Sequence, residues 1–128
     1  TAARARLCRA AALHGLGDVQ GAVSELRGLA AEAPREECGA DVATAVAIEA
    51  RALLARCCLV LGGRPALEEA AREAAVAREQ LGRLEPDGGG LALELEVIAC
   101  AAALELAGED AAALEHCAAR LSRIVEAA

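Results

Sequence analysis

Six cysteines and two histidines have the widest chemical range of any residues in this chain, and their spacing limits what they can do. The cysteines are Cys8, Cys38, Cys57, Cys58, Cys100 and Cys117. An even number admits disulfides, yet a chain of 128 residues that can bury a core does not need such staples. No Cys-x-x-Cys occurs, and neighbouring Cys57 and Cys58 would point about 100° apart on a helix. The pair His116-Cys117 fits no zinc-ligand spacing. The thiols are therefore expected to be reduced and buried, with no metal or cofactor, in a reducing cytoplasmic setting. His14 and His116 lie far apart, and no Ser-His-Asp or Cys-His constellation has a local signature. Gly88-Gly89-Gly90 follows Pro86-Asp87 rather than a strand and lacks the Lys and Ser/Thr of a phosphate loop. It reads as a flexible linker between helical units, and no catalytic residue is expected.

Composition narrows the remaining classes. The chain has 36 Ala and 19 Leu, no Phe, Tyr, Trp, Met, Lys or Asn, and a formal net charge of -7. An acidic chain without aromatics has nothing to stack on a base and repels phosphate, so direct nucleic-acid contact is not expected. Few β-branched residues argue against a sheet. Glu or Arg breaks each apolar stretch well before the ~18 residues a membrane span needs. Using Arg for all 13 basic positions is the mark of a GC-rich coding sequence, a bias rather than an adaptation. With Thr at position 1 and no secretory signal pattern, the chain reads as a piece of a longer one.

Chain breakers then set the elements. Gly15-Leu16-Gly17-Asp18, Ala33-Pro34, Gly62-Gly63-Arg64-Pro65, Glu85-Pro86-Asp87-Gly88-Gly89-Gly90 and Gly108-Glu109-Asp110 separate runs of Ala, Leu, Glu and Arg, the strongest helix formers. The spacing predicts helices over 2–14, 18–32, 40–61, 65–84, 91–107 and 110–126. Asp18 and Asp110 suit helix starts and Pro65 suits a first turn. Apolar stripes at steps of three and four run through Val42, Val46, Ala50, Leu53, Cys57 and Val60, then Leu67, Ala70, Ala74, Ala77, Leu81 and Leu84. The last helix repeats the pattern with Ala111, Leu114, Cys117, Leu121, Ile124 and Val125. Glu68–Arg72 and Glu79–Arg83 stand at four-residue spacing on solvated faces. The third and fifth helices are apolar on two sides, which an interior layer of a stack requires. Small residues at Ala10, Ala22, Ala70, Ala101 and Ala113 permit close helix packing.

A repeating frame emerges. Ala10, Leu13, Gly17-Asp18, Ala22, Leu26 and Leu29, ending at Pro34, match Ala101, Leu104, Gly108-Glu109, Ala113 and Cys117. Cys58, Leu61, Ala70, Ala74 and Ala77 form a middle copy. From Ala22 to Ala70 to Ala113 the spacings are 48 and 43 residues. This frame resembles the tetratricopeptide-repeat superfamily, with Leu, Ala or Cys in its usual aromatic positions. The long spacing and the segment Glu68–Asp87 are similar to the longer repeats of kinesin light chain. The resemblance covers nearly the whole chain. It implies an all-α, right-handed superhelical array of three antiparallel hairpins, 1–34, 40–84 and 91–127, forming one domain.

The resemblance also implies a concave groove lined by the first helix of each hairpin. The positions carried over are Arg4, Leu7, Ala11 and His14, then Ala52, Ala55 and Leu59, then Leu95, Ile98, Ala102 and Glu105. A mostly apolar groove suits a peptide or an amphipathic partner helix. Without Lys or Asn, the clamp that some family members use for a chaperone's terminal carboxylate is not expected. The function that follows is a protein-interaction scaffold or adaptor segment, with further repeats at either end. The alternative is a regulatory repeat domain of a multidomain bacterial transcription regulator.

Overall fold

The structure, a computed structural model, describes residues 2–32, 40–84, 89–108 and 110–127. Among these residues six helices follow one another: α1 (Ala2–Gly15), α2 (Val19–Glu32), α3 (Ala40–Leu61), α4 (Arg64–Leu84), α5 (Gly89–Ala107) and α6 (Ala111–Ala127). Among the described residues there is no strand, so the chain is all-α. No described helix is long and apolar enough to cross a membrane.

Local chemistry sets most of these boundaries. The Asp18 carboxylate accepts the Gly21 backbone N–H at 2.9 Å, and Asp110 accepts that of Ala112 at 3.1 Å. Each thereby satisfies one of the donors left open at a helix start. Gly17 and Gly108, each in a turn between two helices, have φ of 90° and 60°, which a side chain would oppose. One boundary differs from expectation by more than a single residue. Gly89 and Gly90 are not linker but the first turn of α5, and a Cβ at Gly90 would meet only open space. The apolar run behind them is long enough to carry two weak helix formers at its fraying end.

Packing follows chain order. Each helix packs on the next, and α3 also packs on α1 and α5. α3 and α4 run antiparallel: Arg51 of α3 pairs with Glu73 of α4, while Cys58, further along α3, meets Glu69, further back on α4. One continuous core runs from Ala3 and Leu7 through Leu54 and Ala77 to Ala102. Ala10, Ala22, Ala50, Ala55, Ala70, Ala77 and Ala102 are fully buried within it. A methyl at these points lets helix backbones approach closely, since no large side chain holds them apart.

The expected stripes hold in their centres and fail at their ends. Val46, Ala50 and Cys57 of α3 and Leu67, Ala70, Ala74, Ala77 and Leu81 of α4 are buried. Val60 is 63% exposed, and Leu84 and Leu114 are also open to solvent. These three stand toward helix ends, where no neighbouring helix covers the stripe. Burial on two sides is realised in α3, between α1 and α2 on one hand and α4 and α5 on the other. In α5 it is partial, because Leu93 and Val97 face solvent. Cys38, Pro34, Pro86, Asp87, Gly88, Glu109 and the side chains of Val42, Ala111, Ala113, Ile124 and Val125 lie outside the described residues.

Candidate functional site

The exposed stripe of α3 carries Glu49, Arg56 and Val60, at intervals of seven and four residues that place them on one helix face. Its charged members reach sideways to neighbouring first helices. Arg4 of α1 donates to the Glu49 carboxylate at 2.6 Å, and Arg56 pairs with Glu94 of α5. The face shared by α1, α3 and α5 is therefore crossed by two Arg–Glu pairs, one at each helix junction. One turn along α3 from Arg56 stands Val60, and one turn along α5 from Glu94 stands Val97, 45% exposed. Leu93, 40% exposed, completes an apolar strip with Val97 and half-buried Leu104 on α5. Paired charges beside uncovered aliphatic groups give a surface that is locally greasy.

This arrangement redistributes the residues that the repeat frame places in a groove. Arg4 and Glu105 are exposed, and His14 and Leu59 are half-buried. Leu7, Leu95 and Ile98 are not surface residues: all three are buried in the core, as are Ala52, Ala55 and Ala102. Their helices turn the larger side chains inward onto neighbouring helices, so they hold the face in place and do not form it. Ala11 is exposed. Val60, Leu93 and Val97 take the exposed apolar role. The four-residue spacing of Leu93 and Val97 was visible in the sequence, but nothing there distinguished them from Leu95 and Ile98.

Further Arg–Glu pairs tie each hairpin together. Glu25 accepts from Arg9 at 2.6 Å and Arg6 at 3.2 Å, Glu73 from Arg51 at 2.7 Å, and Glu96 from Arg120 at 2.7 Å. Hydrogen bonds from Arg9 and then Arg6 hold the Glu25 carboxyl below the usual range. Of the pairs foreseen within helices, Glu79–Arg83 forms at 2.7 Å, whereas Glu68 pairs with Arg64 at 3.2 Å instead of Arg72. The preceding turn positions Arg64 at the same four-residue reach on the other side.

The thiols divide by burial. Cys8 is exposed, whereas Cys57, Cys58, Cys100 and Cys117 are buried, and all five are free. Burial raises the Cys57 and Cys100 thiols and pushes Cys58 up to about 12, with the nearby Glu69 carboxylate adding to the rise. A neutral buried thiol is a poor nucleophile and a poor metal ligand. Among the described residues no group of three His, Cys, Asp or Glu is placed to hold a metal ion. Compared with known proteins, the chain matches no family model, no curated protein and no solved structure.

Proposed function

We propose that this chain is a tetratricopeptide-like interaction scaffold whose three hairpins stack into a right-handed array, and whose α1–α3–α5 face receives an amphipathic helix of a partner protein. The observation carrying this reading is the juxtaposition of exposed Val60, Leu93 and Val97 with the Arg4–Glu49 and Arg56–Glu94 pairs on that face. An amphipathic helix presents anchors at three- and four-residue steps, and a strip with the spacing of Leu93 and Val97 is complementary to them. The self-paired charges add little affinity and set the register. Packing in chain order, with α1, α3 and α5 side by side, supports the stacked array.

The test is selection of helical peptides from a displayed library on the whole chain, followed by binding to variants. Val97→Glu and Val60→Glu, both at exposed positions, should weaken a selected peptide at least tenfold while helicity is unchanged. Leu84→Glu, exposed at the end of α4, should leave binding intact. Equal loss in all three variants, or none in the first two, removes this face as the docking surface.

A further inference from the structure

The geometry points to a binding site for a small aliphatic carboxylate in the cleft between α4, α5 and α6. The cleft has a volume of about 470 Å³. That is roughly fifteen times the ~30 Å³ share of one water molecule and within the size range of small-molecule sites. Its walls are the methyl groups of Ala71, Ala74, Ala75 and Ala99 with Leu95, so its lining is mostly apolar.

The polar groups converge at one place. Arg78 of α4 and Arg120 of α6 both pair with the single carboxylate of Glu96 on α5, the latter at 2.7 Å. Each guanidinium carries five N–H donors, and neither has a further hydrogen-bond or ion-pair partner among the described residues. Two cations against one anion leave a surplus positive charge, on a chain whose net charge is -7. Glu79, also on the cleft wall, is neutralised by Arg83 at 2.7 Å.

These features select the ligand. A surplus of one charge suits a monoanion, and unused N–H donors on two guanidiniums suit planar carboxylate oxygens. A second carboxylate beside Glu96 would close a ring of two cations and two anions. The methyl-lined wall takes an alkyl chain and offers a phosphate nothing. The site is separate from the proposed partner-helix face, which α1, α3 and the other side of α5 form.

Isothermal titration of the whole chain with octanoate, 1-octanol and inorganic phosphate tests this directly. Octanoate should bind saturably at one per chain, with octanol and phosphate each at least tenfold weaker. Arg78→Gln and Arg120→Gln should each weaken octanoate about tenfold, and Ala75→Leu should weaken it by filling the cleft. Val97→Glu should leave it unchanged, which separates this site from the partner-helix face. Arg78 is half exposed, so its variant decides the matter if Arg120→Gln fails to fold. Octanol or phosphate binding as tightly as octanoate, unchanged affinity in Arg78→Gln, or no saturation overturns the site.

Discussion

Arg27 of α2 and Glu69 of α4 stand 42 residues apart and are joined by two parallel hydrogen bonds, Nε to Oε2 at 2.9 Å and Nη2 to Oε1 at 2.6 Å. This two-pronged pair links the second helices of the first two hairpins. The Cys58 thiol also donates to Glu69, from the core side. Hydrogen bonding from Arg27 holds the Glu69 carboxyl below its ordinary value despite partial burial. A carboxyl with a depressed folded pKa binds fewer protons when folded than when unfolded. Its stabilising contribution is full above the ordinary value near 4.5 and is lost as pH falls through the depressed one. Glu25, held down by Arg9 and Arg6, acts in the same sense. Urea melts should show stability falling below about pH 4.5, with a smaller fall in Glu69→Gln. With Arg27 57% exposed, solvent screening keeps the loss in Glu69→Gln at neutral pH to about 0.5–1 kcal/mol.

Two positions on α3 make a contrast in cover. Leu54 is 1% exposed and belongs to the continuous core, whereas Val60 is 63% exposed. Leu54→Ala should cost about 2–5 kcal/mol, because lost transfer energy and a residual cavity add together. Val60→Ala should fall within about 0.5 kcal/mol of the parent chain. Chemical denaturation monitored by helicity measures both. A similar loss in the two variants would mean that α3 is oriented differently about its axis.

The helices were legible in the sequence because most are bounded by a strong local signal. Asp18 and Asp110 cap as their types suggest, and Gly17 and Gly108 take the turn conformations that other residues avoid. Orientation about the helix axis was legible only where a polar face opposed an apolar one. In α4, charged residues mark the outer face, and Leu67, Ala70, Ala74, Ala77 and Leu81 are buried as expected. In α5 apolar residues surround the axis, so periodicity cannot tell Leu95 and Ile98, which are buried, from Leu93 and Val97, which are exposed. Packing against α3, α4 and α6 decides that question. The pairs Arg4–Glu49, Arg27–Glu69 and Arg56–Glu94 join residues 38 to 45 positions apart, and no local pattern announces them.

The cysteines give a second readout of the same packing. With Cys38 replaced by Ser, a thiol reagent at pH 8 should modify Cys8 alone on the native chain, because only Cys8 is exposed among the described cysteines. Cys57, Cys58, Cys100 and Cys117 should react only as the chain unfolds. Cys58, raised to about 12, should stay unreactive even at pH 9 in the folded state. Intact-mass analysis over time counts the labels. Rapid modification of a second thiol without denaturant would show that a hairpin opens locally.

The turn between α1 and α2 concentrates two local determinants in adjacent residues, and they are separable. Asp18 accepts the Gly21 N–H at 2.9 Å, and Asp18→Ala should lose about 1 kcal/mol through the orphaned donor at the start of α2. Gly17 has φ of 90° with open space around a would-be Cβ, so Gly17→Ala meets no neighbour and suffers only the backbone penalty. That penalty is about 1–2 kcal/mol for an L-residue held in the left-handed region. Because one substitution removes a hydrogen bond and the other strains a dihedral, their effects combine without a shared partner. Gly17→D-Ala, introduced by chemical ligation, relieves the strain and should restore stability to the parent value or above it, since a methyl group also narrows the unfolded ensemble. If D-Ala and L-Ala at position 17 proved equally destabilising, backbone conformation would not be what fixes this turn.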